Sequence, residues 1–111
     1  MQEEKNKMDS RWGGGYKMNF VAKRFQTTAG SKITYNVPVN GQKFLIKNLT
    51  DGDVYVSLKE TENKEECLLI PADTAQIVQV YDGPLIFETN VVTVIPEATS
   101  EKGVEVQCLK W

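Results

Sequence analysis

FLIKNLTDGDVYVSLKE, residues 44–60, decides how this chain folds. Phe44, Leu45 and Ile46 lead into Asp51-Gly52-Asp53, and Val54-Tyr55-Val56 leads out. Two carboxylates around a glycine admit two readings, a calcium loop or a turn between strands. With Asp51 as the first loop position, Asp53, Tyr55, Ser57 and Glu62 fall at positions 3, 5, 7 and 12. The sixth position must then be glycine for the sharp bend, and it is Val56. Val54-Tyr55-Val56 also prefers an extended backbone. The stretch therefore reads as a hairpin, Asp51-Gly52 supplying the positive φ of a tight connection and binding no metal. Asn48-Leu49-Thr50 matches a glycosylation sequon, which has meaning only in an exported chain.

The same alternation extends outward. Runs rich in Val, Ile, Tyr, Phe and Thr occur at 16–21, 33–39, 43–49, 54–59, 67–70, 75–81, 85–89, 91–95 and 104–109. Asn40-Gly41, Pro71, Asp82-Gly83-Pro84, Pro96 and Gly103 punctuate them. No helical period competes. The expectation is an all-β domain, an antiparallel β-sandwich or jelly roll of about eight to nine short strands. Two-residue alternation selects Phe44, Ile46, Val54, Val56, Leu58, Leu69, Ile77, Val104, Val106 and Cys108 as the core. Residues 60–66 read as an acidic surface loop.

Residues 16–111 form this domain, and residues 1–15 are set apart as a flexible arm. Gly13-Gly14-Gly15 is a joint without backbone restriction, and Trp12 lies beyond it. A large apolar ring is unusual on a free tail. It either folds back on its own domain or anchors, with Tyr16, in a neighbouring subunit. Residues 1–60 hold ten Lys/Arg against six Asp/Glu, and residues 61–111 three against nine. Such opposed halves suit a subunit contact or a solvated surface. They do not form the basic stripe with interleaved aromatics that nucleic acid requires.

The chemistry is sparse. The chain of 111 residues has no histidine, which removes His-based nucleophilic triads, the commonest neutral-pH base and a His-rich metal centre. Cys67 and Cys108 stand 41 positions apart and read as small core hydrophobes. Glu88, Glu97 and Glu105 could supply a glycosidase pair, but no spacing selects two of them. No catalytic, cofactor or metal residue is expected, and no enzyme. The charged start, residues 1–7, lacks a signal peptide's apolar segment, so synthesis in a reducing cytoplasm is expected.

From Phe44 onward, about 60% of the chain, several stretches resemble small β-sandwich structural proteins of tailed bacteriophages and prophages. FLIKNLTDGDVYVSLKE resembles their opening hairpin, LLIPADTAQIVQV their Pro-Ala corner and following apolar strand, and GPLIFET and VEVQCLKW their last strands. Such corners often read Pro-Ala-Gly, and Asp73 stands in the Gly place. The resemblance implies a non-enzymatic virion part: head decoration, head fibre base, or neck or tail accessory. It implies a homo-oligomer, often a trimer, bound to other virion proteins and neither to nucleic acid nor to membrane. A carbohydrate-binding module is the alternative, stacking sugar on exposed aromatics such as Tyr55, Tyr81 and Trp111. A small adaptor that binds by strand addition is a third reading.

Overall fold

The computed structural model describes residues 21–79, 81, 82, 85, 86 and 88–111, with backbone only at 81, 82, 85 and 86. The arm over 1–15, with Trp12, and Tyr16 beyond it lie outside the described residues. Among the described residues ten strands follow one another: β1 (Val21–Thr27), β2 (Ile33–Gly41), β3 (Lys43–Asn48), β4 (Val54–Ser57), β5 (Leu68–Ile70), β6 (Thr74–Gln79), β7 (Tyr81–Asp82), β8 (Leu85–Ile86), β9 (Thr89–Pro96) and β10 (Ser100–Lys110). Two four-stranded antiparallel sheets face each other in the orders β1-β10-β3-β6 and β2-β9-β4-β5, and β7-β8 is a separate short pair. The fold is all-β, as the alternation requires.

The strand pairing is nested. β1 pairs with β10, β2 with β9, β3 with β6 and β4 with β5. The β1–β2, β3–β4, β5–β6 and β9–β10 connections each carry the chain from one sheet to the other. Two paired ribbons thus bend over at one end of the sandwich, which is the winding of a jelly roll.

That winding corrects the reading of Asp51-Gly52. Residues on either side of it do not pair; β3 and β4 lie in opposite sheets. Gly52 does not have a positive φ either, for among the described residues only Gly30, Gly103 and Asp73 do. A Cβ on Gly52 would approach the Ala98 Cβ to 3.1 Å, so glycine serves the close passage of two crossings there. Asp73, with φ 59°, takes the left-handed conformation that glycine takes in the Pro-Ala-Gly corner. Aspartate tolerates that region better than most side chains.

The core holds Tyr35, Val37, Phe44, Ile46, Val54, Val56, Ile70, Val92, Val94, Val104, Val106 and Cys108. Leu58 is partly buried against it. Leu69 and Ile77, expected inside, are 42% and 58% exposed. In each case the neighbour is the inward residue: Ile70 pairs with Val54, and Val78 with Phe44, whereas Leu69 pairs with Tyr55 and Ile77 with Leu45. A shift of one residue in a strand moves every side chain to the other face. Uniformly apolar runs such as Leu-Leu-Ile and Ile-Val conceal which parity applies.

Strand limits also differ. Of the expected strand over 16–21 only Val21 is described, and from it β1 runs through Lys23 and Arg24 to Thr27, because an outer strand can keep long charged side chains in water. Gly103 is not a terminator but a bulge inside β10, where the pairing with β1 shifts between Ser100 and Val104. Its φ is 65°, and a Cβ there would overlap the Phe25 carbonyl. Among the described residues no helix is long and apolar enough to cross a membrane.

Candidate functional site

The end where the ribbons bend is held by a buried polar knot. Asn48 is 0% exposed, and its Nδ2 lies 2.8 Å from the Gly52 carbonyl, 2.9 Å from that of Ile70 and 3.0 Å from that of Pro71. Its Oδ1 accepts the Thr50 N–H at 2.9 Å and the Thr50 hydroxyl at 2.7 Å. Two N–H donors thus serve three carbonyls from two separate crossings. The β9–β10 crossing is tied to the β1–β2 crossing in the same way. The Thr27 hydroxyl donates to Ala98 O at 2.8 Å, and the Gly30 N–H to Pro96 O at 2.8 Å. The Asn48-Leu49-Thr50 sequon is therefore structural, and its amide has no access to solvent.

Beside the knot an open cleft of about 660 Å³ is lined by Thr50, Asp51, Ala72, Asp73, Thr99 and Glu101, among others. Its buried polar side chain, Thr50, already has partners in Asn48 and Gly52. Among the described residues no three His, Cys, Asp or Glu side chains gather closely enough to hold a metal ion.

The aromatic candidates are dispersed. Tyr55 is half-buried on the outer face of β4, and the Lys64 ammonium sits 5.0 Å from its ring centroid. Lys64 also approaches Glu97 at 3.5 Å. A hydrogen bond to Glu97, helped by partial desolvation and the charges of Glu97 and Asp53, pushes the Tyr55 phenol above its ordinary value. Trp111 is exposed and follows Lys110, whose partner Lys43 opens β3 at the opposite end. Ten steps along β10 amount to roughly 30 Å. Tyr55 and Trp111 thus share neither sheet nor end. Tyr35 is buried with its ring 5.2 Å from that of Phe25, and the side chain of Tyr81 lies outside the described residues. The carboxylates are separated as well. Glu88 and Glu97 flank the eight residues of β9, and Glu105 lies on β10 beside Lys47 at 3.5 Å. Both thiols are raised, Cys67 by burial and then by Glu66, and Cys108 by burial.

A different feature stands out on the side of the sandwich. β5 and β6 are the outer strands of the two sheets on the same side, joined by the 71–73 corner. Leu68, Leu69 and Ile77 are exposed there, and residues 74–77 are exposed throughout. The fifteen residues 67–81 contain one charge, Asp73, in a chain that is 25% charged. β6 pairs with β3 in unbroken register over six residues, and no other strand among the described residues lies on its far side. The opposite outer strands are unlike it: β1 carries Lys23 and Arg24, and β2 carries the exposed Pro38. Charge and proline are the usual means of keeping an edge from pairing with another chain. Neither β5 nor β6 carries a charge or a proline within the strand. This neutral run was visible in the sequence, but the periodicity assigned its apolar residues to the core.

Comparison with protein-family models, with curated proteins and with solved structures finds no match for this chain.

Proposed function

We propose that this chain is a non-enzymatic structural or accessory subunit of a tailed-phage or prophage particle, made in the bacterial cytoplasm. In this reading it serves as head decoration, fibre base, or neck or tail part, and acts by self-assembly and attachment to a larger particle. The observation that carries the assembly half is the β5–β6 side, a strand edge that carries no charge and, among the described residues, no covering strand, with exposed Leu68, Leu69 and Ile77. Such an edge is a liability on a solitary subunit and an asset on one that is covered. The particle half rests on the resemblance over residues 44–111 and on the jelly roll, a winding common among capsid proteins. The fold contributes by analogy alone.

The carbohydrate-binding alternative needs aromatic rings on one surface. Tyr55 carries Lys64 over its ring, and Trp111 lies at the other end of the other sheet, so the edge is the better-supported working surface. The test is mass spectrometry of particles purified on a density gradient from the cells that encode the chain. Its peptides should co-purify with particles at a fixed ratio to the major shell protein. Their absence, together with retention on a glycan array, would replace the particle reading with the carbohydrate one.

A further inference from the structure

We infer that two copies of this chain join through β6, antiparallel and about a two-fold axis at Ile77, merging two four-stranded sheets into one of eight strands. The inference rests on the self-assembly reading above and specifies its contact. Residues 75 and 77 point outward with Lys47 and Leu45, whereas 74, 76 and 78 face inward with Asn48, Ile46 and Phe44. A second β6 added to this edge must keep outward residues opposite outward residues, because a slip of one would place Ile77 against an inward position. The register that sets Ile77 opposite Ile77 satisfies this and also pairs Gln76 with Val78. It extends the row Gln107–Leu45–Ile77 into its own copy, so the largest exposed apolar side chain of the sheet meets itself. Cross-strand apolar pairs of this kind are what stabilise antiparallel sheets.

Charge and area both favour a second copy. Lys43 and Lys47 sit one strand in from the edge, so no like charges are brought directly opposite one another. Six residues at about 3.4 Å each give an edge about 20 Å long. Two sheets about 10 Å apart, with their side chains, make the side of the sandwich roughly 20 Å deep. A partner seated on such a corrugated side covers on the order of 600–800 Å² of each copy, the lower end of a specific interface. The two-fold arrangement needs only this side, since both partners present the same patch. A three-fold ring would instead set β6 against β1 or β2, where Lys23, Arg24 and Pro38 oppose pairing.

The test uses the full chain in a Cys67→Ser background. Ile77→Cys is allowed to oxidise under mild conditions, and Lys43→Cys, one strand in, is the control. Ile77→Lys is then compared with the parent by sedimentation across a dilution series, with its melting curve recorded alongside. The expected results are a covalent pair with Ile77→Cys only, and at least a tenfold weaker association for Ile77→Lys at unchanged fold. Assembly that survives Ile77→Lys with no cross-link at position 77 overturns this contact and leaves self-assembly through another surface. A parent chain that stays at single-chain mass at every concentration overturns both. If Ile77→Lys fails to fold, the cross-link decides alone.

Discussion

Replacing Asn48 by alanine removes the side chain that ties two sheet crossings together. The cut leaves the carbonyls of Ile70 and Pro71 and the N–H of Thr50 short of a partner, while the Thr50 hydroxyl keeps the Gly52 carbonyl at 2.8 Å. A buried polar group without a hydrogen bond costs about 1–3 kcal/mol. Water from the adjacent cleft can serve some of these groups, so the net loss should be about 3–4 kcal/mol rather than the full sum. A domain of this size has roughly 5–14 kcal/mol of stability, so the loss is a large fraction of the total. At about 4–8 °C per kcal/mol, the melting temperature should fall by roughly 12–30 °C. Urea denaturation followed by circular dichroism measures it, with the exposed Asp51→Ala as a control expected within about 0.5 kcal/mol. Asn48→Asp adds a pH signature. Its second oxygen would face carbonyl oxygens and favour the protonated acid, raising the folded-state pKa. The protonated form's contribution is present at low pH and lost as pH rises, so this variant should be relatively more stable in acid than at neutrality. A loss below about 1 kcal/mol for Asn48→Ala would refute the knot as the element that fixes the crossings.

Four further substitutions and one labelling experiment probe the same fold. Ile70→Ala should cost about 2–5 kcal/mol and Leu69→Ala under about 1 kcal/mol by denaturant titration, because only Ile70 is fully buried; the reverse order would restore the sequence parity. Gly103→Ala combines a left-handed backbone with overlap on the Phe25 carbonyl, whereas Gly30→Ala, at φ 78° in open space, bears only the backbone cost of about 1–2 kcal/mol. Melting curves should therefore separate the two clearly, and equal losses would deny the bulge. Thiol labelling should modify Cys67 before Cys108 in the native chain. Since the thiolate is the reactive form and burial raises both thiols, labelling should gain speed only as pH climbs past the ordinary thiol value. Equal rates for the two, or fast labelling at neutral pH, would contradict their placement.

The fold class was legible because Val104, Val106 and Cys108 alternate with Glu105 and Gln107, which leaves one face for the core. The winding was not. Asn48, Thr50 and Thr93 are polar and read as surface, yet all three are buried: Asn48 and Thr93 bond distant backbone, and Thr50 bonds Asn48 and Gly52. The Thr93 hydroxyl donates to Lys59 O at 2.8 Å, where the 58–60 segment covers the outer face of β9. Nothing local in Asp51-Gly52 separates a hairpin from a crossing, because the difference lies in Ile70, Pro71 and Ala98 on the far side. The candidate surface was legible in another form. A run of fifteen residues with one charge was present in the sequence, but only the strand order shows that it forms one side with no further strand beyond it among the described residues.

Self-assembly is the central claim, and the mass of the full chain in solution tests it most directly. Light scattering coupled to a dilution series from high micromolar to nanomolar should give a multiple of 12.5 kDa at the top. It should relax toward 12.5 kDa as the chain is diluted. If two-fold β6 pairing is the principal contact, the first multiple is two. A mass fixed at 12.5 kDa across the whole range would contradict self-assembly and leave the β5–β6 side to a different protein.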